Sequence, residues 1–379
     1  MNKNNRNVLL VYNIFVTMAE NYKSLQGTAL GKGYFLAKLS NNQFDTIKAI
    51  VEQIFQDLEW QSFITKQTTI LLKPNFTNLT YERGITTSPV FLEAVVDVLH
   101  DKCKKIKIIE GNGGSWLFNA TESAKNHGVF DLVKKYTVEW INVSELPRKK
   151  VKKRINNKNV SLELPTDVNT LGDLLISLPV FKNHCMTNAT LGIKNLWGLE
   201  PNELRMLNHS KIDYYLPLIG DHYNHKLTLI DGTIGLSGNG PMIGDPVEMN
   251  TIFAANDPVI ADVIGSWIMK VDPNKVSHIG NYSDYYGYSI ETILETLPAQ
   301  AEEFRTELKM ERKIFNYLDL LTFKNKFLAK MAFNSFLTPV IYFIFNLING
   351  KKKSTPPKEL KKRFINRKQK FDEDFVNRI

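Results

Sequence analysis

Residues 68–103, TTILLKPNFTNLTYERGITTSPVFLEAVVDVLHDKC, hold one full repeat of an architecture. The apolar run TTILL leads into a polar segment, and an apolar-periodic stretch then opens at Ser88 and Pro89. Ser88 stands where an N-cap belongs, and Pro89 occupies the first helical position, where a missing N–H costs nothing. The unit reads as strand, polar loop, helix. Its strand is a continuous apolar run and does not alternate, the pattern of a strand buried on both faces of a parallel sheet.

The rhythm continues on both sides. NVLLVY (7–12), KIKIIEGNG (105–113), TVEWINV (137–143), DLLISLPVF (173–181) and KLTLIDGTI (226–234) read as further strands. Residues 44–60 and 257–270 read as helices, the first with a 3.6-residue stripe of Ile47, Ile50, Val51, Ile54 and Phe55, the second opened by Asp257 as cap and Pro258. The run at 7–12 reads as a strand, not a secretion signal, because Asn13 breaks it and no small-residue cleavage site follows. Strands alternating with helices predict an α/β fold: a doubly wound, mainly parallel sheet flanked by helices. The basic stretch 144–165 interrupts the alternation as an exposed loop or edge hairpin. The glycine-rich segment 232–246 is expected to form a long ligand-facing loop or lid.

The expected organisation is an α/β domain over 1–297, a C-terminal helical extension over 298–350 and a basic tail over 351–379. Residues 298–313, PAQAEEFRTELKMERK, read as a charged helix. Residues 331–350 carry no charge, and twenty residues just suffice to span a bilayer. Asn334, Ser335, Thr338, Pro339 and Asn346 lower its apolar content, so an interfacial or re-entrant membrane segment, a full span and a helix packed on the protein all stay open. Residues 351–370 hold ten of the 48 Lys/Arg and one of the 39 Asp/Glu, so the rest of the chain balances at 38 of each. The basic character is that of a tail, which suits an anionic membrane face at about 1 kcal/mol per nearby cation. No recognition motif accompanies it, and nucleic acid is not an expected partner. Cys103 and Cys185 are the two cysteines, too few for a disulfide framework or for an all-cysteine iron–sulfur cluster, which needs four thiolates. That usage fits a reducing compartment, and the expected location is the cytoplasm, peripheral to the inner face of the membrane through 331–370.

Ligands of open parallel sheets bind beyond the carboxyl ends of the strands. There, Lys73 and Asn75 end one strand, and Thr86 and Thr87 precede a helix start that favours an anion. EGNGGSW places Gly113 and Gly114 where a backbone can approach a ligand closely. FKNHCMTNATLGIKNLWG (181–198) gathers polar groups after a buried strand, and His184, Lys194 and the later His209 form a set suited to proton transfer, metal ligation or covalent chemistry with a carbonyl. Asp231 ends a further strand as an acid facing the crevice. The expected catalytic groups are His184, Lys194 and Asp231. The expected cofactor-binding groups are Lys73, Asn75, Thr86, Thr87, Gly113, Gly114 and Lys194.

KPNF, TTSP, EGNGG, LPVFKNH, TLGIKNLWGL, NH, DGTIGLSGNGP and ANDPVIADVIGS, in that order, resemble the domain of unknown function 362 family over roughly residues 68–270. The resemblance implies an α/β domain and no particular reaction. Many relatives carry ferredoxin-like cysteine motifs, which this chain lacks. The segments around His184, Lys194 and His209 are also similar to the nickel-pincer lactate racemase family, which implies His184 as acid/base, Lys194 as cofactor tether and His209 as metal ligand. The racemase pattern departs at EGNGGSW, which has no histidine, and at LGI before Lys194, where that family has a Gly-Gly turn. A divalent metal is left open. The expected function is an enzyme, isomerase or oxidoreductase, using His/Lys acid–base or covalent chemistry on a small or carrier-linked anionic substrate. The alternative is a non-catalytic, membrane-peripheral binding protein.

Overall fold

The computed structural model describes residues 15–18, 21–166, 171–312, 322, 325–348, 358, 361–362 and 365–366. The run at 7–12 expected as a first strand lies outside them.

The expected parallel strands are present: β4 (Thr69–Pro74), β5 (Lys105–Glu110), β6 (Glu139–Asn142), β9 (Leu174–Leu178) and β12 (His225–Ser237). They lie side by side in the order β12-β9-β4-β5-β6. Successive residues of β4 enter opposite layers. Ile70 and Leu72 pack with the helices α1 (Phe44–Asp57), α2 (Pro89–Leu99) and α4 (Val129–Lys135), while Leu71 joins the layer of α6 (Ile212–His222), α7 (Pro258–Ile268) and α8 (Ser277–Tyr286). Burial on both faces is why these strands do not alternate. The short helix α3 (Ala120–Asn126) precedes α4.

The sheet is mixed, because an antiparallel wing extends it beyond β12. β1 (Phe15–Met18), β2 (Tyr22–Ala29), β3 (Lys32–Leu39) and β13 (Asp245–Ala255) continue the order as β1-β2-β3-β13-β12. The wing corrects the expected loop at 232–246: β12 runs to Ser237, β13 starts at Asp245, and only 238–244 turn. Gly232 and Gly235 are strand residues. A Cβ at Gly232 would lie 2.0 Å from the Thr251 carbonyl oxygen, and one at Gly235 would lie 2.5 Å from Met249 Sδ. Close backbone approach, not turning, requires them. The basic stretch forms the hairpin of β7 (Arg148–Ile155) and β8 (Lys158–Pro165).

Pro179 divides the expected strand 173–181 in two. β9 ends at Leu178, and β10 (Val180–His184) leaves β4 to pair with the outer half of β12. β11 (Asn188–Thr190) folds back on β10, and α5 (Gly192–Asn195) follows. Strand β9 returns beside β4 after the chain has run outward through β5 and β6, so the β4/β9 boundary is where strand order reverses.

The expected charged helix at 298–313 is a 3-10 turn, Ala299–Phe304, followed by extended chain. Arg305 Nε donates to the Trp267 carbonyl, Leu308 N to that of Met269, and Gly238 N to that of Lys309, so this strap binds the end of α7 to the β12–β13 turn. The uncharged segment also departs from a single span. α10 (Lys326–Phe333) is capped at Asn334 and α11 (Thr338–Ile348) starts anew. Among the described residues no helix is long and apolar enough to cross a membrane.

Asp257 caps α7 as expected, accepting from Val259 N at 2.8 Å and Ile260 N at 3.3 Å while Tyr288 Oη donates to its other oxygen. Asp257→Ala is expected to lower stability by about 1–2 kcal/mol, measured as a shift of the urea midpoint at unchanged slope.

Candidate functional site

The carboxyl ends of β4, β5 and β10 and the turn of α5 enclose a cavity of about 340 Å³. Its polar lining includes Lys73, Asn75, Glu110, His184, Lys194, Asn195, Arg205 and His209. A larger cavity, about 810 Å³, lies at the opposite ends of β4, β9 and β12 among Asp57, Glu59, Asp173 and Lys226. None of those four is buried, so the smaller cavity is the one built from sequestered titratable groups.

Lys73 is 1% exposed. Its Nζ lies 2.6 Å from Glu110 Oε2 and donates also to the Pro74 carbonyl and to Asn195 Oδ1. Burial draws its pKa down, and the charge of Glu110 opposes that. Glu110 accepts in addition from Phe76 N and Gly111 N, which makes it a hydrogen-bonded strand-end carboxylate. Asn195 Nδ2 donates to the Lys73 carbonyl on β4 and to Ser177 Oγ on β9, so it bridges the sheet where strand order reverses. Asn75 Nδ2 donates to Asn195 Oδ1, and Asn75 Oδ1 accepts from Lys182 Nζ at 2.6 Å. Gly198 seats the pair, since a Cβ there would meet Glu110 Oε1 at 2.4 Å.

Beside this network, the β10–β11 turn and α5 bring together two residues ten apart in sequence. Lys194 Nζ lies 2.9 Å from His184 Nε2. His184 Nδ1 accepts from Met186 N–H at 3.2 Å, which puts the proton of a neutral imidazole on Nε2. Burial pushes the pKa of His184 well down, and the charge of Lys194 adds to this, so the imidazole is neutral. An Nε2–H facing Lys194 Nζ needs a lone pair there, which only the neutral amine offers. Burial lowers the pKa of Lys194 to about 8, against smaller opposing effects of Cys185 and Asp213. Asp262 holds the amine's helical turn by accepting from Ile193 N at 3.0 Å. The His209 ring stacks 6.4 Å from that of His184, and burial lowers its pKa as well.

Of the residues expected from sequence, Lys73, Asn75, Gly113, Gly114, His184, Lys194 and His209 line this cavity; Thr86, Thr87 and Asp231 do not. Asp231 Oδ2 accepts from Ser88 N at 2.8 Å, and its Oδ1 accepts from the N–H and hydroxyl of Thr233. The helix start expected to receive an anion is thus occupied by the chain's own carboxylate. Thr87 Oγ1 donates to the Leu178 carbonyl and accepts from Asn75 N, and Thr86 Oγ1 accepts from Glu82 N. Both hydroxyls brace the loop. Among the described residues no three His, Cys, Asp or Glu side chains come together as a metal site.

Arg205, His278 and Asn195 were missed. Arg205 is buried, and its Nη1 makes only long contacts, 3.4 Å, to the carbonyls of Glu200 and Asn202. The charges of Glu200, Glu110 and Glu203 offset the burial of its guanidinium. His278 is fully buried near Lys194, with neither ring nitrogen partnered among the described residues. A basic residue in a polar turn and a histidine on a helix carry no spacing signal; only folding makes them neighbours of the lysine.

A family model described as domain of unknown function (DUF362) matches residues 70–267, just over half of the chain. The chain belongs to the DUF362 family. The thylakoid-associated protein sll1697 of Synechocystis sp. is 25% identical over 221 residues, which is 56% of this chain and 66% of that protein. The lactate racemase apoprotein from Thermoanaerobacterium thermosaccharolyticum is 17% identical with a TM-score of 0.42, over 59% of this chain and 55% of that one. A protein from Thermotoga maritima is 10% identical with a TM-score of 0.31, over 52% of each chain. The chain thus spans just under two thirds of the curated relative and about half of either solved structure. Overlaps this partial carry no information about chemistry.

Lys73→Met is expected to cost about 3–5 kcal/mol by leaving Glu110 buried without its cation. Lys73→Met combined with Glu110→Gln should recover more than half of that loss in urea unfolding. An equal loss in the double variant would mean that the pair is not coupled.

Proposed function

We propose that this DUF362 protein is an enzyme in which Lys194 acts as a neutral amine on a small or carrier-linked anionic substrate bearing a carbonyl. The observation that carries this reading is the hydrogen-bond chain from Met186 N–H through the His184 ring to Lys194 Nζ. That chain sets one imidazole tautomer and aims its Nε2–H at the unprotonated form of the amine, which burial makes accessible near pH 8. An amine with a free lone pair below its ordinary pKa is what attack on a carbonyl requires. In that step Nζ bonds to the carbonyl carbon, the oxygen takes protons and leaves as water, and an imine remains. The two protons the nitrogen loses are accepted by the neutral histidines of the cavity, His209 and His184, and returned to the departing oxygen. A protonated imine acidifies the neighbouring C–H, which favours an isomerase-type reaction in which one proton is removed and returned.

The anionic substrate is inferred from Arg205. A guanidinium stays charged at any working pH, and its fork of N–H groups at the cavity wall suits a carboxylate or phosphate. Lys73, already held by Glu110, orders the cavity floor. No step of this reading passes through a metal.

A non-catalytic binding role would use the same cavity without bond formation, and trapping distinguishes the two. Incubation with pyruvate and cyanoborohydride is expected to give one adduct, at Lys194, identified by intact mass and peptide mapping. The trapping rate should rise with pH through about 8, because protonation below that value removes the lone pair. An ordinary surface lysine would rise near its reference pKa of about 10.4. Lys194→Ala should lose the adduct while keeping its melting temperature. Adducts spread over surface lysines, or none at Lys194, would refute the reading.

A further inference from the structure

The lining of the cavity is only partly polar. Besides Lys194 and Arg205 it includes Leu117, Phe118, Met186, Met206, Met242 and Pro241, an apolar and methionine-rich set. Unbranched methionines adapt to flexible apolar chains of varying shape. Ala332 of α10 and Ile341 of α11 also line it, and Ile341 is 40% exposed, so the wall of the cavity reaches solvent at α11.

The outer face of these two helices is apolar. Phe327 is 70% exposed, Phe336 74% and Leu347 62%. Val340, Ile344 and Leu347 follow one another at intervals of four and three residues, which sets them on one stripe of α11. The inner side is packed: Ala329 and Thr338 are buried, and α10 rests on the turn Arg205–Lys211 that carries Arg205 and His209. Exposed cations occur in the same C-terminal part of the chain. Lys330, Lys358, Lys361 and Lys362 are exposed, within a C-terminal region holding ten Lys/Arg to one Glu over 351–370. Exposed aromatic and aliphatic side chains next to clustered lysines fit the interface of an anionic bilayer. Both helices are too short to cross it.

We infer that the outer face of α10 and α11 docks on an anionic lipid surface, and that the substrate is an amphiphile entering from it. The anionic carbonyl head lies at Arg205 and Lys194, and the apolar chain leaves past Met206 and Met242 to the opening at Ile341. This rests on the reading of Lys194 given above, extends it to a substrate class, and is tested so that the two stand or fall separately.

The first arm is sedimentation of the full chain with vesicles of phosphatidylcholine and phosphatidylglycerol, against phosphatidylcholine alone. Binding is expected only with the anionic lipid and should weaken with added salt. Phe336→Asp combined with Leu347→Asp should weaken it at least about tenfold, from the loss of two apolar anchors, with the melting temperature as control of the fold. Equal binding to neutral vesicles, no binding to either, or a dimer in sedimentation velocity that the same substitutions dissolve would overturn the docking. The second arm compares cyanoborohydride trapping of 2-oxohexadecanoate presented in the anionic vesicles with trapping of pyruvate in solution. At equal concentration the long-chain acid should be trapped at Lys194 at least about tenfold faster, since each buried methylene favours it. Equal or reversed preference overturns the amphiphile while leaving the role of Lys194 standing. If neither acid is trapped, the lysine reading fails, and with it the substrate class; docking is then judged by the vesicles alone.

Discussion

A lysine 1% exposed at the end of a central strand is the constraint around which the site is arranged. An ammonium in a protein interior is tolerated only with an opposing charge and further hydrogen bonds. Lys73 obtains them from Glu110 on the neighbouring strand and from Asn195 on the turn of α5. Asn195 then reaches back to β4 and β9. Satisfying one buried charge therefore ties three strands and the α5 turn together at the place where strand order reverses. The residue next to Asn195 is Lys194, so the requirement that fixes the floor of the cavity also fixes the position of the Lys194 amine.

The two buried lysines of this floor are treated differently by their surroundings. Lys73 meets a carboxylate. Lys194 meets a neutral imidazole whose outward proton is dictated by a backbone N–H, and burial brings its pKa to about 8. A carboxylate would hold the amine charged; an imidazole donor favours its free base. Two lysines thus sit in opposite electrostatic settings within one cavity. The division depends on a hairpin, since β10 and β11 bring His184 and Lys194 within 2.9 Å although ten residues separate them.

The parallel half of the fold was legible because burial on both faces leaves a mark on composition, as in Ile70, Leu71 and Leu72. The antiparallel wing was not. β2 and β3 mix Gln26, Gly27, Lys32 and Lys38 into their runs, and the glycines of β12 resemble a loop until the Thr251 carbonyl is seen against Gly232. At the site, the density of polar groups after β9 marked His184 and Lys194. Asp231 carried the same sign, yet its carboxylate is consumed by Ser88 and Thr233. A strand-end acid looks alike in sequence whether it faces a ligand or a helix start. Arg205 and His278 left no mark, because solitary basic residues have no periodicity to reveal them.

By itself the sequence determined the alternation of strands and helices, the crevice at the strand ends, the family and the concentration of charge in the tail. These are local or compositional properties, written by which faces are buried and which segments are solvated. Only the tertiary structure decided which polar groups share the cavity, which lysine meets a carboxylate and which an imidazole, and that the uncharged segment breaks into two helices that line the cavity. Those outcomes depend on distances between residues far apart in the chain. Desolvation and hydrogen-bond geometry act on such distances and leave no trace in the order of the letters.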